Sequence, residues 1–304
     1  MTDGLSMLTH CLLCPRRCGA NRLRGERGFC GAGAEVVVSY YGPHFGEEPP
    51  ISGLNGSGNV FFSPCNLRCI FCQNHQISHK TFGRAFSPQD LVHIFLELQD
   101  MDVHNINLVS PTPYIPQLAV AIARAKEKGV NIPFVYNTNS YELPQSLALL
   151  EGLVDVYLPD FKYWHESAGR KLSKAAAYPE TARSAVKEMK RQVGNLDVAG
   201  GLARAGLLIR LLILPGNLSG AKSTLRWIKE ALGAETYISL MSQYYPLHEA
   251  SRYPMVARPI TQHEYDDVVD FALEQGFVNI FGQELDSPPL FIPDFEKAKP
   301  FERP

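Results

Sequence analysis

Seven cysteines stand at positions 11, 14, 18, 30, 65, 69 and 72, and none follows Cys72 in a chain of 304 residues. Disulfides usually tie distant segments together, whereas thiols crowded this closely are how metal ligands are arranged. The set divides into four and three: Cys11-Leu-Leu-Cys14-Pro-Arg-Arg-Cys18 with Cys30, then Cys65-Asn-Leu-Arg-Cys69-Ile-Phe-Cys72. The fold must therefore bring each group of thiols to a metal.

Residues 1–50 are rich in Cys, Arg and Gly and lack a long periodic run, so they read as a small module organised by a ligand. From about residue 58 short apolar runs alternate with helical spacing. Strands are expected at Val60–Ser63, Ile106–Val109, Phe134–Asn137, Val154–Leu158, Leu207–Leu214 and Tyr237–Met241. Helices are expected to begin near Pro88, Pro116, Leu143, Pro179, Ser219 and Thr261, with Ser87-Pro88-Gln-Asp and Thr261-Gln-His-Glu264 as start signals. This alternation predicts an α/β protein with a parallel sheet covered by helices. Six units fit a partial (β/α)6 barrel over residues 51–285 better than a closed eight-fold one, with an open doubly wound sheet as the alternative. The proline-rich stretch 286–304 is expected to be extended and to lie across the barrel.

At 45% hydrophobic residues the chain has material for a large core, and a formal charge of -2 with a pI near 6.5 leaves no electrostatic footprint for nucleic acid or an anionic membrane. The N-terminus lacks the basic start and apolar run of a signal peptide. A cytoplasmic protein is expected, with small molecules or proteins as partners rather than nucleic acid or membrane.

Cys65, Cys69 and Cys72 directly follow the apolar run Val60-Phe-Phe-Ser-Pro64, which puts them in a loop at the C-terminal end of the first barrel strand. In barrel enzymes that end carries the chemistry. Three thiolates can hold a [4Fe–4S] cube and leave one iron open for a cofactor, unlike the fully ligated clusters of ferredoxins. The competing reading is a zinc knuckle completed by His75 or His79.

A Cys-x3-Cys-x2-Cys loop after a strand, with an aromatic residue, Phe71, before the last cysteine, resembles radical S-adenosylmethionine (SAM) enzymes. The resemblance is closest to the activating enzymes of glycyl radical enzymes, in a pyruvate formate-lyase activase-like group. It rests further on Cys72-Gln-Asn74, Tyr136-Asn-Thr-Asn139, Asp160-Phe-Lys162 and Leu214-Pro-Gly-Asn217. It implies an iron–sulfur enzyme in which the open iron chelates SAM and a reduced cluster cleaves it to a 5′-deoxyadenosyl radical. It also implies that Phe71, Asn137, Asn139, Asp160 and Lys162 line the SAM pocket, with Arg210, a charge on an apolar strand, as a further candidate. Where the activases carry Gly-Gly-Glu, this chain has Val109-Ser-Pro-Thr-Pro-Tyr114. Ser110 and Thr112 offer hydroxyls or carbonyls there but no carboxylate, so SAM must be held differently.

His44-Phe-Gly-Glu-Glu-Pro-Pro50 and Ser242-Gln-Tyr-Tyr-Pro246 combine aromatic and polar groups suited to a pocket mouth. For Cys11, Cys14, Cys18 and Cys30, zinc and a second, auxiliary iron–sulfur cluster both take four thiolates, and spacing does not choose between them; a structural zinc is the simpler expectation. The expected activity is radical chemistry on a protein or peptide, fed by a small reductant such as flavodoxin or ferredoxin. Radical chemistry on a small metabolite, or a non-catalytic iron–sulfur or zinc-binding regulator, are the alternatives.

Overall fold

A strand pressed between layers needs apolar side chains on both faces, and Ser57–Ser63 is buried at all of its positions. It is one of the inner strands of a ten-stranded sheet in the computed structural model, which describes residues 3–285 and 292–301. The strands are β1 (Val36–His44), β2 (Ser57–Ser63), β3 (Arg84–Phe86), β4 (Ile106–Val109), β5 (Phe134–Thr138), β6 (Val156–Pro159), β7 (Asp197–Ala199), β8 (Leu202–Leu212), β9 (Tyr237–Met241) and β10 (Ile280–Gly282). Their order is β10-β9-β8-β6-β5-β4-β2-β1-β3, with β7 paired to β8 off this path.

From β2 to β10 every neighbouring pair is parallel. The six expected strands are all present, and the short β10 adds a seventh parallel member. β1, inside the stretch read as the Cys-rich module, pairs antiparallel with β2 and with β3. Among the described residues the path is linear, in agreement with a partial barrel.

The long helices are α1 (Pro88–Asp100), α2 (Ile115–Glu127), α3 (Glu166–Ser173), α4 (Tyr178–Val193), α5 (Ala221–Leu232) and α6 (Gln262–Glu274). α1 starts where Ser87 accepts from the Asp90 amide and Asp90 returns a bond to the Ser87 amide, with Pro88 at the first helical position. Its buried residues, Leu91, Val92, Ile94, Phe95 and Leu98, recur at helical spacing and face the sheet. Thr261 and Glu264 make the same reciprocal cap on α6.

Of the stretch 286–304, residues 286–291 and 302–304 lie outside the described residues. The part between packs over the sheet end: Phe295 lies 5.3 Å from Phe61 ring to ring, and Phe301 lies 4.4 Å from His44. Gln76 fastens it, donating to Asp294 at 3.1 Å and accepting from the Phe295 amide at 2.8 Å.

Candidate functional site

The parallel register sets the site. Val109, Asn137 and Leu158 lie side by side on β4, β5 and β6, and the bridge between Asp160 and Arg210 continues the β6–β8 pairing beyond β6. Side chains at these C-terminal strand ends converge on one cavity, together with the loop that leaves β2. Cys65, Cys69 and Cys72 line it, as do Phe71, Ser110, Asn137, Asn139, Asp160, Lys162 and Arg210. The cavity opens to solvent at one end and mixes polar and apolar lining, as cofactor sites do.

Each of the three sulfurs meets a donor. Asn139 Nδ2 lies 3.3 Å from Cys65 Sγ, Ser173 Oγ 2.9 Å from Cys69 Sγ, and Ser78 Oγ 3.2 Å from Cys72 Sγ. The Leu67 amide adds a second bond to Cys65 at 3.4 Å. Burial pushes the Cys65 thiol up to about 11 and that of Cys72 up to about 12, and raises Cys69 too, so iron must displace protons to bind. Buried sulfurs furnished with donors suit thiolates whose charge is shared with a metal. Three ligands on one wall, facing open space, suit a cube with one accessible iron.

Hydrogen bonds to cluster sulfurs favour the reduced, more negative state. Ser173→Ala is expected to lower the potential of this cluster by about 60 mV, a tenfold shift for a one-electron couple. Redox titration followed by electron paramagnetic resonance (EPR) measures it. An unmoved potential would remove Ser173 from any role at Cys69.

His75 and His79 do not join the trio. The ring of His75 stacks on His248 at 4.8 Å and that of His79 meets His248 edge-on at 4.6 Å. Among the described residues, no three His, Cys, Asp or Glu side chains meet tightly enough for a single metal ion. His75 Nδ1 also lies 3.3 Å from the Cys72 carbonyl, so the two rings brace the cysteine loop.

The same cavity holds a buried charge network. Arg210 Nε donates to Asp160 at 2.7 Å, its Nη1 donates to Glu47 at 3.1 Å, and its Nη2 reaches Asn137 Oδ1. Lys162 Nζ pairs with the other oxygen of Asp160 at 2.7 Å. Burial alone would push Asp160 up, but Arg210 and Lys162 outweigh it and hold the carboxyl below its usual range. Burial would lower Lys162, but Asp160 and the nearby Cys69 outweigh it and raise the amine.

The sequence reading did not single out Glu47 and Glu48, yet both face this cavity from the turn after β1. Glu47 is fixed by the side-chain amides of Asn59 at 2.8 Å and Asn107 at 3.0 Å. Carboxylates are thus present in the cavity, delivered by the β1–β2 connection rather than by the loop after β4. The only sequence signal was that His44–Pro50 looked like a pocket mouth. The matching stretch Ser242–Pro246 also contributes, since Gln243, Tyr244 and Tyr245 line the cavity and Tyr244 packs on Phe71 at 5.5 Å.

Ser110 and Thr112 part company. Ser110 adopts a left-handed backbone (φ 59°), uncommon for serine, and lines the cavity. The chain then turns away, so that Thr112 lines a second cavity and donates to Glu142 at 2.6 Å. Thr138 at 2.6 Å and Tyr136 at 3.2 Å donate to the same oxygen of Glu142, while its other oxygen is buried with no hydrogen-bond partner among the described residues. Burial dominates these bonds and pushes the Glu142 carboxyl up to about 7.

The folded value thus lies above the ordinary one near 4.5. At acid pH both states are protonated; between about 4.5 and 7 only the unfolded chain releases the proton, so stability falls as pH rises and then levels. The wild type is expected to lose about 3 kcal/mol across this window relative to Glu142→Gln. Urea midpoints at about pH 5 and about pH 8 test this. Parallel changes in both proteins would clear Glu142 of the effect.

The four N-terminal cysteines line the second cavity with Thr112. Asn66 is part of its wall and directly follows Cys65, which lines the first. Only one peptide unit stands between the two cysteine sites at that point.

Comparison with known proteins agrees with this geometry. A family model for the radical SAM superfamily matches residues 59–202. An uncharacterized protein of Methanocaldococcus jannaschii is 30% identical over 280 residues, covering 88% of this chain and 75% of that one. Streptococcus suis SuiB bound to S-adenosylmethionine superposes with a TM-score of 0.51 at 13% identity, over 72% of this chain and 48% of that one. Methylornithine synthase gives 0.50 at 11% identity, over 74% of this chain and 70% of that one. The match spans about half the length of SuiB, and at these identities the structural likenesses speak for the fold. With three cysteines on the wall of a cavity at the strand ends, and with these relatives, the chain belongs to the radical SAM superfamily, as an enzyme whose cofactors are a [4Fe–4S] cluster and S-adenosylmethionine.

Proposed function

We propose that this chain generates a 5′-deoxyadenosyl radical in order to modify a protein or peptide, in the manner of the activating enzymes of glycyl radical enzymes. The chemistry supplied by cluster and cofactor is one-electron cleavage of the sulfonium and hydrogen abstraction from the substrate. The chain's own residues bind and orient. Lys162 and Arg210 present cations to the methionyl carboxylate, and Asp160 and Glu47 present carboxylates to its ammonium group. Because Arg210 grips Asp160, Glu47 and Asn137 together, this basket is set before the cofactor arrives. Glu47 supplies the carboxylate that the loop after β4 lacks. Asn139 holds Cys65 and the Asn66 side chain at once, fixing the cluster loop against β5.

The observation that carries the protein-substrate reading is the mouth of the cavity. Tyr245 and Ile292 line it and are 40% and 38% exposed, beside His44 and Phe301. An apolar rim left partly open to water next to a buried reaction centre suits a peptide segment that covers it on binding. A low-potential one-electron donor of the flavodoxin or ferredoxin class is the reductant in this scheme. Among the described residues no helix is long and apolar enough to cross a membrane.

The test uses anaerobically reconstituted protein with SAM and dithionite. Release of 5′-deoxyadenosine is expected, and it should be stimulated by the macromolecular fraction of a cell extract, with a protein-borne radical or modification in that fraction. Stimulation confined to the small-molecule filtrate would replace the reading with radical chemistry on a metabolite. No release from protein carrying its cluster would leave an iron–sulfur regulator.

A further inference from the structure

A zinc site and a cluster site differ in the space they need. Four sulfurs about 2.3 Å from a zinc ion lie within roughly 4 Å of one another, whereas an iron–sulfur cube spreads its ligands wider. Cys11, Cys14, Cys18 and Cys30 line one small cavity and are free thiols. They are close enough for their charges to act on one another. No three of them meet at single-ion spacing, and the same is true of Cys65, Cys69 and Cys72, whose partner is a cube.

Two guanidiniums share the wall of this cavity. Arg22 is 3% exposed and donates to the carbonyls of Gly33 and Pro113. Arg16 donates to the carbonyls of Asn66, Ser173 and Lys174 and lies 3.7 Å over the Phe29 ring. Among the described residues neither forms an ion pair with a carboxylate. Arg22 is a buried cation and needs a counter-charge, which four thiolates on a metal supply, whether the metal is zinc or a cluster; the choice between them rests on the spacing. Gly28 gives the ligands room, since a Cβ there would stand 2.2 Å from Cys18 Sγ.

The same residues run to the catalytic site. Arg16 holds the carbonyl of Asn66, next to Cys65, and that of Ser173, whose hydroxyl bonds Cys69. The geometry points to a second [4Fe–4S] cluster on Cys11, Cys14, Cys18 and Cys30, seated to pass electrons to the catalytic cluster through the Cys65–Asn66 segment. This replaces the simpler expectation of zinc. One electron from a flavodoxin- or ferredoxin-class donor reduces the N-terminal cube. It passes on, reducing the catalytic cube as the first is reoxidised, with no bond made or broken. The relay rests on the function proposed above; the identity of the metal does not.

Metal and sulfide analysis of the anaerobically reconstituted full chain tests the site without any turnover. About eight irons per chain are expected, as two cubes of four, with about four remaining when Cys65, Cys69 and Cys72 are all replaced by alanine. Reduced wild-type protein should show an EPR spectrum broadened by interaction between two nearby spins, unlike that of the triple variant. About four irons with one zinc in the wild type, or about four irons and no other metal, would overturn the second cluster even if the triple variant fails to fold. Eight irons with two non-interacting spectra would overturn the relay and leave the cluster. Adding Gly28→Ala to the triple variant should reduce its remaining iron severalfold.

Discussion

Protein carrying Cys69→Ala is expected to release 5′-deoxyadenosine at least about a thousandfold more slowly than wild type, a loss of about 4 kcal/mol in barrier terms. The reason is ligand number. Three thiolates are the minimum that holds a cube while leaving one iron for SAM, and Cys69 is buried and bonded to Ser173. The carboxylate of Asp160 is already paired with Lys162 and Arg210, so it is a poor replacement ligand for the lost thiolate. Ser78→Ala, which removes only a donor to Cys72, should retain activity within about tenfold. Dithionite-driven assays of both variants make the comparison. Release by Cys69→Ala at a rate near wild type would remove the trio from the chemistry.

Replacing Arg210 with methionine is expected to cost about 3–5 kcal/mol of stability at neutral pH. The methionine fills much the same volume, so the loss is chiefly electrostatic. Asp160 keeps Lys162, but Glu47 loses its cation and faces Glu48, already pushed upward by burial. Wild-type Asp160 lies below its usual range, so its pairing contributes above the unfolded value and is lost as pH falls through the folded one. In the variant the buried carboxyls shift upward and take up protons as pH drops. The gap between the two proteins should therefore be widest near neutrality and narrow towards about pH 4. Adding Glu47→Gln to Arg210→Met should recover part of the loss; denaturant titration across pH measures both. A pH-independent gap would point to packing instead of charge.

Both outcomes concern residues visible in the sequence to different degrees. The cysteine trio was legible because its loop follows an apolar strand, and Arg210 because a charge stands out on one; Asn137, Asn139, Asp160 and Lys162 were legible only through the motifs that resemble the radical SAM family. The strands themselves were legible because burial on both faces leaves apolar runs such as Leu207–Ile209. Glu47 and Glu48 were not, because nothing local distinguishes two glutamates in a turn from solvated ones. Their burial follows from β1 doubling back on β2, a long-range pairing. The run Val36-Val-Val-Ser-Tyr-Tyr41 carried the β signal, but it stands in a stretch dominated by cysteine, glycine and arginine. Thr112 was misread in its direction: the left-handed Ser110 reverses the chain, which periodicity does not encode. Glu142 was invisible for a similar reason, since its burial depends on Thr112 from the loop after β4 as well as on Tyr136 and Thr138 of β5.

The C-terminal segment has a practical consequence for the bench. Phe301 rests against His44 and Phe61 at the mouth of the cavity. A purification handle fused just beyond Phe301 would begin at the entrance and compete with whatever the enzyme admits. Tagged and untagged preparations would then differ in apparent substrate preference, so a cleavable handle should be removed before any substrate is ruled out.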